Sequence, residues 1–130
     1  MGIEQLAVNN PWWSDRSSIA QDKHITDFYA ARLHWFPSLL SKIHLDEDLV
    51  YIIRGPRQIG KTTTLKLLIE SLLSGEIDPR QICYLDCELA GIRNFTHLIN
   101  LIDEYITFIR PLLQAKRLYL FLDEITFIKD

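Results

Sequence analysis

Residues 55–68 read GPRQIGKTTTLKLL and follow the apolar run Leu49–Ile53, LVYII, after a single Arg54. LVYII is short, β-branched and aromatic, without polar alternation. A strand covered on both faces reads this way. On the other side, KTTTLKLLIESLLSG sets Leu65, Leu68, Ile69 and Leu72 at helical spacing, and Gly75 follows as a stop. Between strand and helix, Gly55, Gly60, Lys61 and Thr62 match G-x-x-x-x-G-K-[ST]. That spacing has a physical reason. Glycines let the backbone turn tightly and aim successive N–H groups at one phosphate chain. The helix that follows directs the positive end of its dipole at the same anion.

Gly55, Pro56, Arg57, Gln58, Ile59, Gly60, Lys61, Thr62 and Thr63 are therefore the candidate nucleotide-binding residues. Lys61 is expected to reach the terminal phosphates and to act in catalysis. The Thr62 hydroxyl is expected to ligate Mg²⁺. Thr63 is a candidate contact to the α-phosphate, and Arg57 and Gln58 occupy variable loop positions. At average composition such a match arises by chance in well under about 1% of chains of this length. A glycine turn that merely happens to precede a lysine is the weaker explanation.

The rest of the chain alternates. QICYLDC (81–87) reads as a second strand. NFTHLINLIDEYITFIR (94–110) sets Leu98, Ile102, Tyr105, Ile106 and Ile109 at helical spacing, with Asn94 as cap and Pro111 as its end or a kink. RLYLFLDE (117–124) reads as a third strand. Strand, loop, helix, strand, helix, strand predicts an α/β fold with a parallel sheet and right-handed crossovers. The third strand ends in Asp123 and Glu124, where ligands bind in open α/β sheets. Asp123 fits the acidic group that holds Mg²⁺ through water, and Glu124 the group that polarises an attacking water. A lone Asp-Glu after a strand is equally an ordinary solvated turn; the glycine loop upstream favours the functional alternative. The chain carries DEIT where a Ras-type GTPase would show D-x-x-G, and it has no N-K-x-D signature, so ATP is favoured over GTP.

Composition bounds the remaining classes. The chain has 130 residues, 48% apolar and 24% charged, with a net charge of −3. The acidic excess lies within residues 1–48, and no basic stripe marks a nucleic-acid surface. No apolar run approaches the ~20 residues of a membrane span. The start, MGIEQLAVNNPWW, is not a secretory signal, and Leu6 stands where a myristoylation signal needs Ser or Thr. A cytoplasmic location is expected. Cys83 and Cys87 are four apart on one strand, roughly 13 Å, beyond disulfide reach. They read as two small buried side chains on one face. Residues 1–24 read as polar and irregular, and Trp12 and Trp13 need a surface to cover. Pro37 interrupts any helix across residues 25–48, with a short helix expected at 38–43.

RGPRQIGKTTTLKLLI together with YLFLDEI resembles the archaeal and bacterial ATPases of the AAA+ superfamily, in the branch whose P-loop reads R-G-P-R-[RQ]-x-G-K-T-T. YLDCE, NPWW and FPSLL are similar to the same group, so the resemblance covers nearly the whole chain. One departure is Thr126, where these proteins often carry Gln. The resemblance implies a P-loop NTPase three-layer sandwich on a five-stranded parallel sheet, incomplete in this chain. Residues 1–48 would be an N-terminal segment packing on the core, and 49–130 the N-terminal part of the ATPase domain. Two further strands, a polar sensor and an arginine acting in trans would follow Asp130, so the chain reads as a fragment ending just after the Asp123–Glu124 pair. Such an arginine is worth roughly 10³–10⁵ in rate, so this piece should be weak or inactive alone. The intact protein is expected to hydrolyse Mg²⁺-ATP, to drive a conformational change and to form a homo-oligomer.

Two alternatives use the same loop. One is a nucleotide-regulated switch without significant turnover. The other is a small-molecule kinase, which would need a substrate motif and an arginine-rich lid; residues 62–122 show neither, and Arg93 alone is not a lid. A degenerate loop kept for structure conflicts with intact Lys61, Thr62, Asp123 and Glu124. Asp86 and Glu88, at the tip of the second strand, read as a solvated strand end before they read as neighbours of the metal. His34, Trp35 and Phe36 could stack on an adenine base, with edge packing as the plainer alternative. His24, His44 and His97 share no spacing and receive no role.

Overall fold

Asn94 and Asp22 open two helices by the same device. The Asn94 side chain accepts the His97 N–H at 2.8 Å, and the Asp22 side chain accepts the His24 N–H at 2.9 Å. Each satisfies a donor that the first helical turn leaves without a partner. The computed structural model describes residues 2–31, 60–113 and 117–128. In chain order its elements are α1 (Gly2–Asn9), α2 (Lys23–Ala30), α3 (Lys61–Leu73), β1 (Ile82–Asp86), α4 (Phe95–Leu113) and β2 (Tyr119–Asp123). Short 3-10 turns occupy Pro11–Trp13, Arg16–Gln21, Pro79–Gln81 and Ile125–Phe127. The expected first strand at 49–53, Pro37 and the short helix at 38–43 lie outside the described residues. The chain divides into two compact units, Met1–Arg16 with Glu76–Asp130, and Ser17–Gly75.

In the first unit β1 and β2 pair in parallel, from Ile82 opposite Tyr119 to Asp86 opposite Asp123. This is the α/β arrangement expected of strand–helix–strand, with α4 as the crossover. Side chains alternate across the strands. Cys83 and Leu85, with Cys87 one residue past the strand, pack with Leu98, Leu101, Tyr105 and Ile109 of α4, Leu6 of α1, Ile92 and Ile128. Each large apolar side chain buried here contributes roughly 1.5–3 kcal/mol. The buried stripe of α4 is 98, 101, 105, 109, and Ile102 and Ile106 are only half-buried. Periodicity alone missed Leu101. Trp13 stacks on Tyr105 and Phe108 at 5.6 and 6.2 Å between ring centroids and draws the covered side of the helix toward itself. Pro111 lies inside the last turn, and the helix continues to Leu113. A proline there has no N–H to give the carbonyl four residues earlier, so the last turn holds with one hydrogen bond fewer.

Residues 1–24 are more regular than their polarity suggests, because α1 buries Leu6 against the core and packs on α4 and β1. The segment after α1 serves the outer edge of β1. Asn10, fully buried, donates to the Tyr84 carbonyl at 2.9 Å and accepts the Tyr84 N–H at 2.6 Å. The Trp12 and Trp13 indoles both donate to the Ile82 carbonyl, at 3.3 and 2.6 Å. The paired tryptophans therefore do cover a domain edge.

In the second unit α2 packs on α3. Lys66 is buried on α3 and pairs with Asp22 at 2.5 Å, and the Tyr29 hydroxyl donates to Glu70 at 2.7 Å. Leu68 and Ile69 are buried as expected, but Leu65 and Leu72 are half-buried, while Thr64, Leu67 and Leu73 are buried. The buried positions 64, 66, 67, 68, 69 and 73 fall all round the helix, so burial is not confined to one stripe. The helix ends without a left-handed glycine. The Ser74 N–H donates to Glu70 O and the Gly75 N–H to Leu72 O, both at 3.1 Å.

Candidate functional site

Gly60 turns directly into α3. Its φ of +84° is left-handed, and a Cβ built there would meet nothing within 4 Å. The conformation, and not crowding, is what requires glycine at this position. Lys61, Thr62 and Thr63 follow as the first helical residues, all half-buried. A helix start leaves its first N–H groups without intrahelical acceptors. Thr64 is committed differently. Its N–H and its hydroxyl both donate to the Gly60 carbonyl at 2.8 Å, so the third threonine of the run secures the turn itself. Gly55, Pro56, Arg57, Gln58 and Ile59 lie outside the described residues, as do His34, Trp35 and Phe36.

The acidic pair belongs to the other unit. Asp123 ends β2 with only 4% of its surface exposed. Its Oδ2 accepts the Tyr84 hydroxyl at 2.7 Å, and its Oδ1 accepts the Glu124 N–H at 3.0 Å. Glu124 is the sole non-glycine residue with positive φ among the described residues, at φ 55° and ψ 38°. A left-handed conformation costs a side-chain-bearing residue ~1–2 kcal/mol. It swings the chain off the strand end into the Ile125–Phe127 turn.

Asp86 stands opposite Asp123 in the register. Its Oδ1 accepts the N–H groups of Glu88 and Leu89, both at 3.0 Å, so its carboxylate caps the turn after β1. A solvated strand end was the plainer expectation; the carboxylate is instead half-buried and bonded to the backbone of the turn. Cys87 lies under this tip. Burial, followed by the charges of Asp86, Asp123 and Glu124, pushes its thiol up to about 11. Burial alone pushes the Cys83 thiol up to about 12. Both cysteines are free, buried and held protonated.

Sequence reasoning missed Tyr84 and Asn10. For Tyr84 the signal was present. Tyr84 and Asp86 share a face of β1, Phe121 and Asp123 share the matching face of β2, and Tyr84 pairs with Phe121. Tyr84 is thus diagonal to Asp123, a separation that a tyrosine side chain spans. No periodicity points to Asn10. Among the described residues no group of three or more His, Cys, Asp or Glu is arranged to hold a metal by itself, and no helix is long and apolar enough to cross a membrane.

A family model described as an AAA domain matches residues 47–130, more than half of the chain and including both the glycine loop and the acidic strand end. No curated protein and no solved structure matches the chain. On the strength of that match, the chain belongs to the AAA-domain family, which is ATPase-like and nucleotide-binding.

Proposed function

We propose that the protein binds ATP with magnesium and hydrolyses it to drive a conformational change, as a P-loop ATPase of the R-G-P-R-Q branch of AAA+ proteins. The observation that carries this is Gly60, whose left-handed turn opens α3 directly into Lys61 and Thr62. Backbone N–H groups at a helix start and an ammonium suit an anionic triphosphate. Hydroxyl and carboxylate oxygens suit magnesium, which is usually held by one or two carboxylates together with phosphate. The donor set therefore fits Mg²⁺-ATP. Gly55–Thr63 would hold the phosphates, with Lys61 on the terminal ones. Thr62 and Asp123 would hold the metal, which when bound would neutralise charge developing on the phosphates. Glu124 would orient and deprotonate the attacking water.

The same proposal includes a three-layer P-loop sandwich formed by residues 49–130, with residues 1–48 packing on it, and a cytoplasmic homo-oligomer. The parallel β1–β2 pair with its α4 crossover supports the first part, and α1 packing on β1 and α4 supports the second.

The test is calorimetric titration of the chain with ATP, with and without Mg²⁺, beside a Lys61→Ala variant, with circular dichroism on both. Magnesium-dependent binding that falls at least about tenfold in the variant is expected, since Lys61 is the one cation of the loop's fixed positions. A folded wild-type chain that does not bind would end the proposal.

A further inference from the structure

We propose that Tyr84 is a positioning residue for Asp123 and sets the orientation in which that carboxylate meets magnesium. The inference rests on the nucleotide reading above, and it concerns a residue with no assigned role. The parallel register puts the Tyr84 ring diagonal to Asp123 on one face of the β1–β2 pair. The hydroxyl donates to Oδ2 at 2.7 Å, while the Glu124 N–H holds Oδ1 at 3.0 Å. Left to itself, an aspartate carboxylate rotates in a broad well about its last torsion. Two donors, one on each oxygen, select a single plane.

The donor is itself fixed. Tyr84 and Asp123 are each only 4% exposed, so water does not compete for the bond. The Tyr84 backbone is gripped by the Asn10 amide, through its N–H at 2.6 Å and its carbonyl at 2.9 Å. Asn10 is in turn held by the Leu6 carbonyl at 2.8 Å. A connected set of hydrogen bonds therefore runs from the end of α1, through β1, to the acidic tip of β2. Groups that orient a metal-binding carboxylate in this way commonly change metal affinity 10–100-fold when removed.

The test uses Tyr84→Phe, which deletes one oxygen atom and keeps the ring. Calorimetry on the full chain with a non-hydrolysable ATP analogue measures nucleotide affinity without metal, then Mg²⁺ affinity of the complex. Urea unfolding is measured in parallel. Expected is a ~10–100-fold loss of Mg²⁺ affinity, with metal-free nucleotide affinity held within about twofold. Phe121→Leu is the packing control: it thins the same face opposite Tyr84 and leaves the hydroxyl in place, so it should lower stability without moving Mg²⁺ affinity. Wild-type Mg²⁺ affinity in Tyr84→Phe overturns the proposal. So does an equal loss in Phe121→Leu, or failure of Tyr84→Phe to fold, because either assigns the bond to stability alone. If the wild-type chain shows no Mg²⁺-dependent nucleotide binding, the nucleotide reading itself falls, and that result is distinct from the others.

Discussion

Replacing Asn10 by alanine should cost far more than its place in a polar run suggests. The side chain makes three hydrogen bonds in a fully buried setting, donating to Leu6 O at 2.8 Å and Tyr84 O at 2.9 Å and accepting from Tyr84 N at 2.6 Å. A buried N–H that loses its acceptor costs about 1–3 kcal/mol, and each carbonyl that loses a donor about 1 kcal/mol. Allowing for partial rescue by water, the total is roughly 3 kcal/mol, against domain stabilities of about 5–15 kcal/mol. For a chain of this size that corresponds to a fall in Tm of about 10 °C. The neighbouring Asn9 supplies the contrast, since its side chain makes one bond, to Gln5 O at 3.1 Å, in a half-buried position. Asn9→Ala should stay within about 1 kcal/mol. Urea denaturation of the three proteins, with m-values compared, decides the matter. Equal midpoints for the two variants, or a loss below about 1 kcal/mol for Asn10→Ala, would refute the claim that this amide replaces a strand partner.

Two further outcomes are expected. At Glu124, where φ is 55°, glycine should be tolerated better than alanine: Glu124→Gly should exceed Glu124→Ala in stability by about 1 kcal/mol, measured by denaturation, and the opposite order would deny the left-handed turn. The cysteines should be inert. With thiols pushed up to about 11 at Cys87 and about 12 at Cys83, neither should react with a disulfide reagent at pH 8 in the folded chain, and both should in urea. Because folding raises both values from 9.0, the protonated thiols favour the native state. That contribution is complete below about pH 9 and fades as pH climbs through 11 and 12. A fast native thiol would contradict the burial.

Much of the first unit could be read from local pattern. LDE after an apolar run marked the strand end, and Asn94 marked the helix start, because each depends on neighbours within a few residues. What could not be read depends on partners far along the chain. Leu101 is buried because Trp13 and α1 flank the helix it belongs to, 88 positions away in the case of Trp13. Lys66 is buried because Asp22 meets it, and nothing in KTTTLKLLIE distinguishes it from a solvated lysine. The spacing of the glycine loop follows from phosphate geometry, and of its fixed positions the structure describes Gly60, Lys61 and Thr62 at the start of α3. The left-handed Glu124 was not legible, because a turn of that kind usually announces itself by glycine or asparagine.

The outer edge of β1 bears on how the acidic tip is held. An unpaired strand edge needs partners for its N–H and C=O groups, and proteins usually supply another strand or a covering loop. Here Ile82 N donates to Pro79 O, Ile82 O accepts two indoles, Tyr84 N and O are both met by one amide, and Asp86 O accepts the Ala90 N–H. Side chains and turns therefore do the work of a strand. A strand can slide in register; a buried asparagine with two tryptophans cannot, because each side chain fits one backbone group. That fixity passes along β1 to Tyr84 and from there to Asp123. An N-terminal run of NNPWW, unremarkable in composition, thus bears on the geometry of a carboxylate more than 100 residues later in the chain. A change in NNPWW that preserved folding but shifted Mg²⁺ affinity would be the expected consequence of this linkage, and its absence would confine the segment to edge protection.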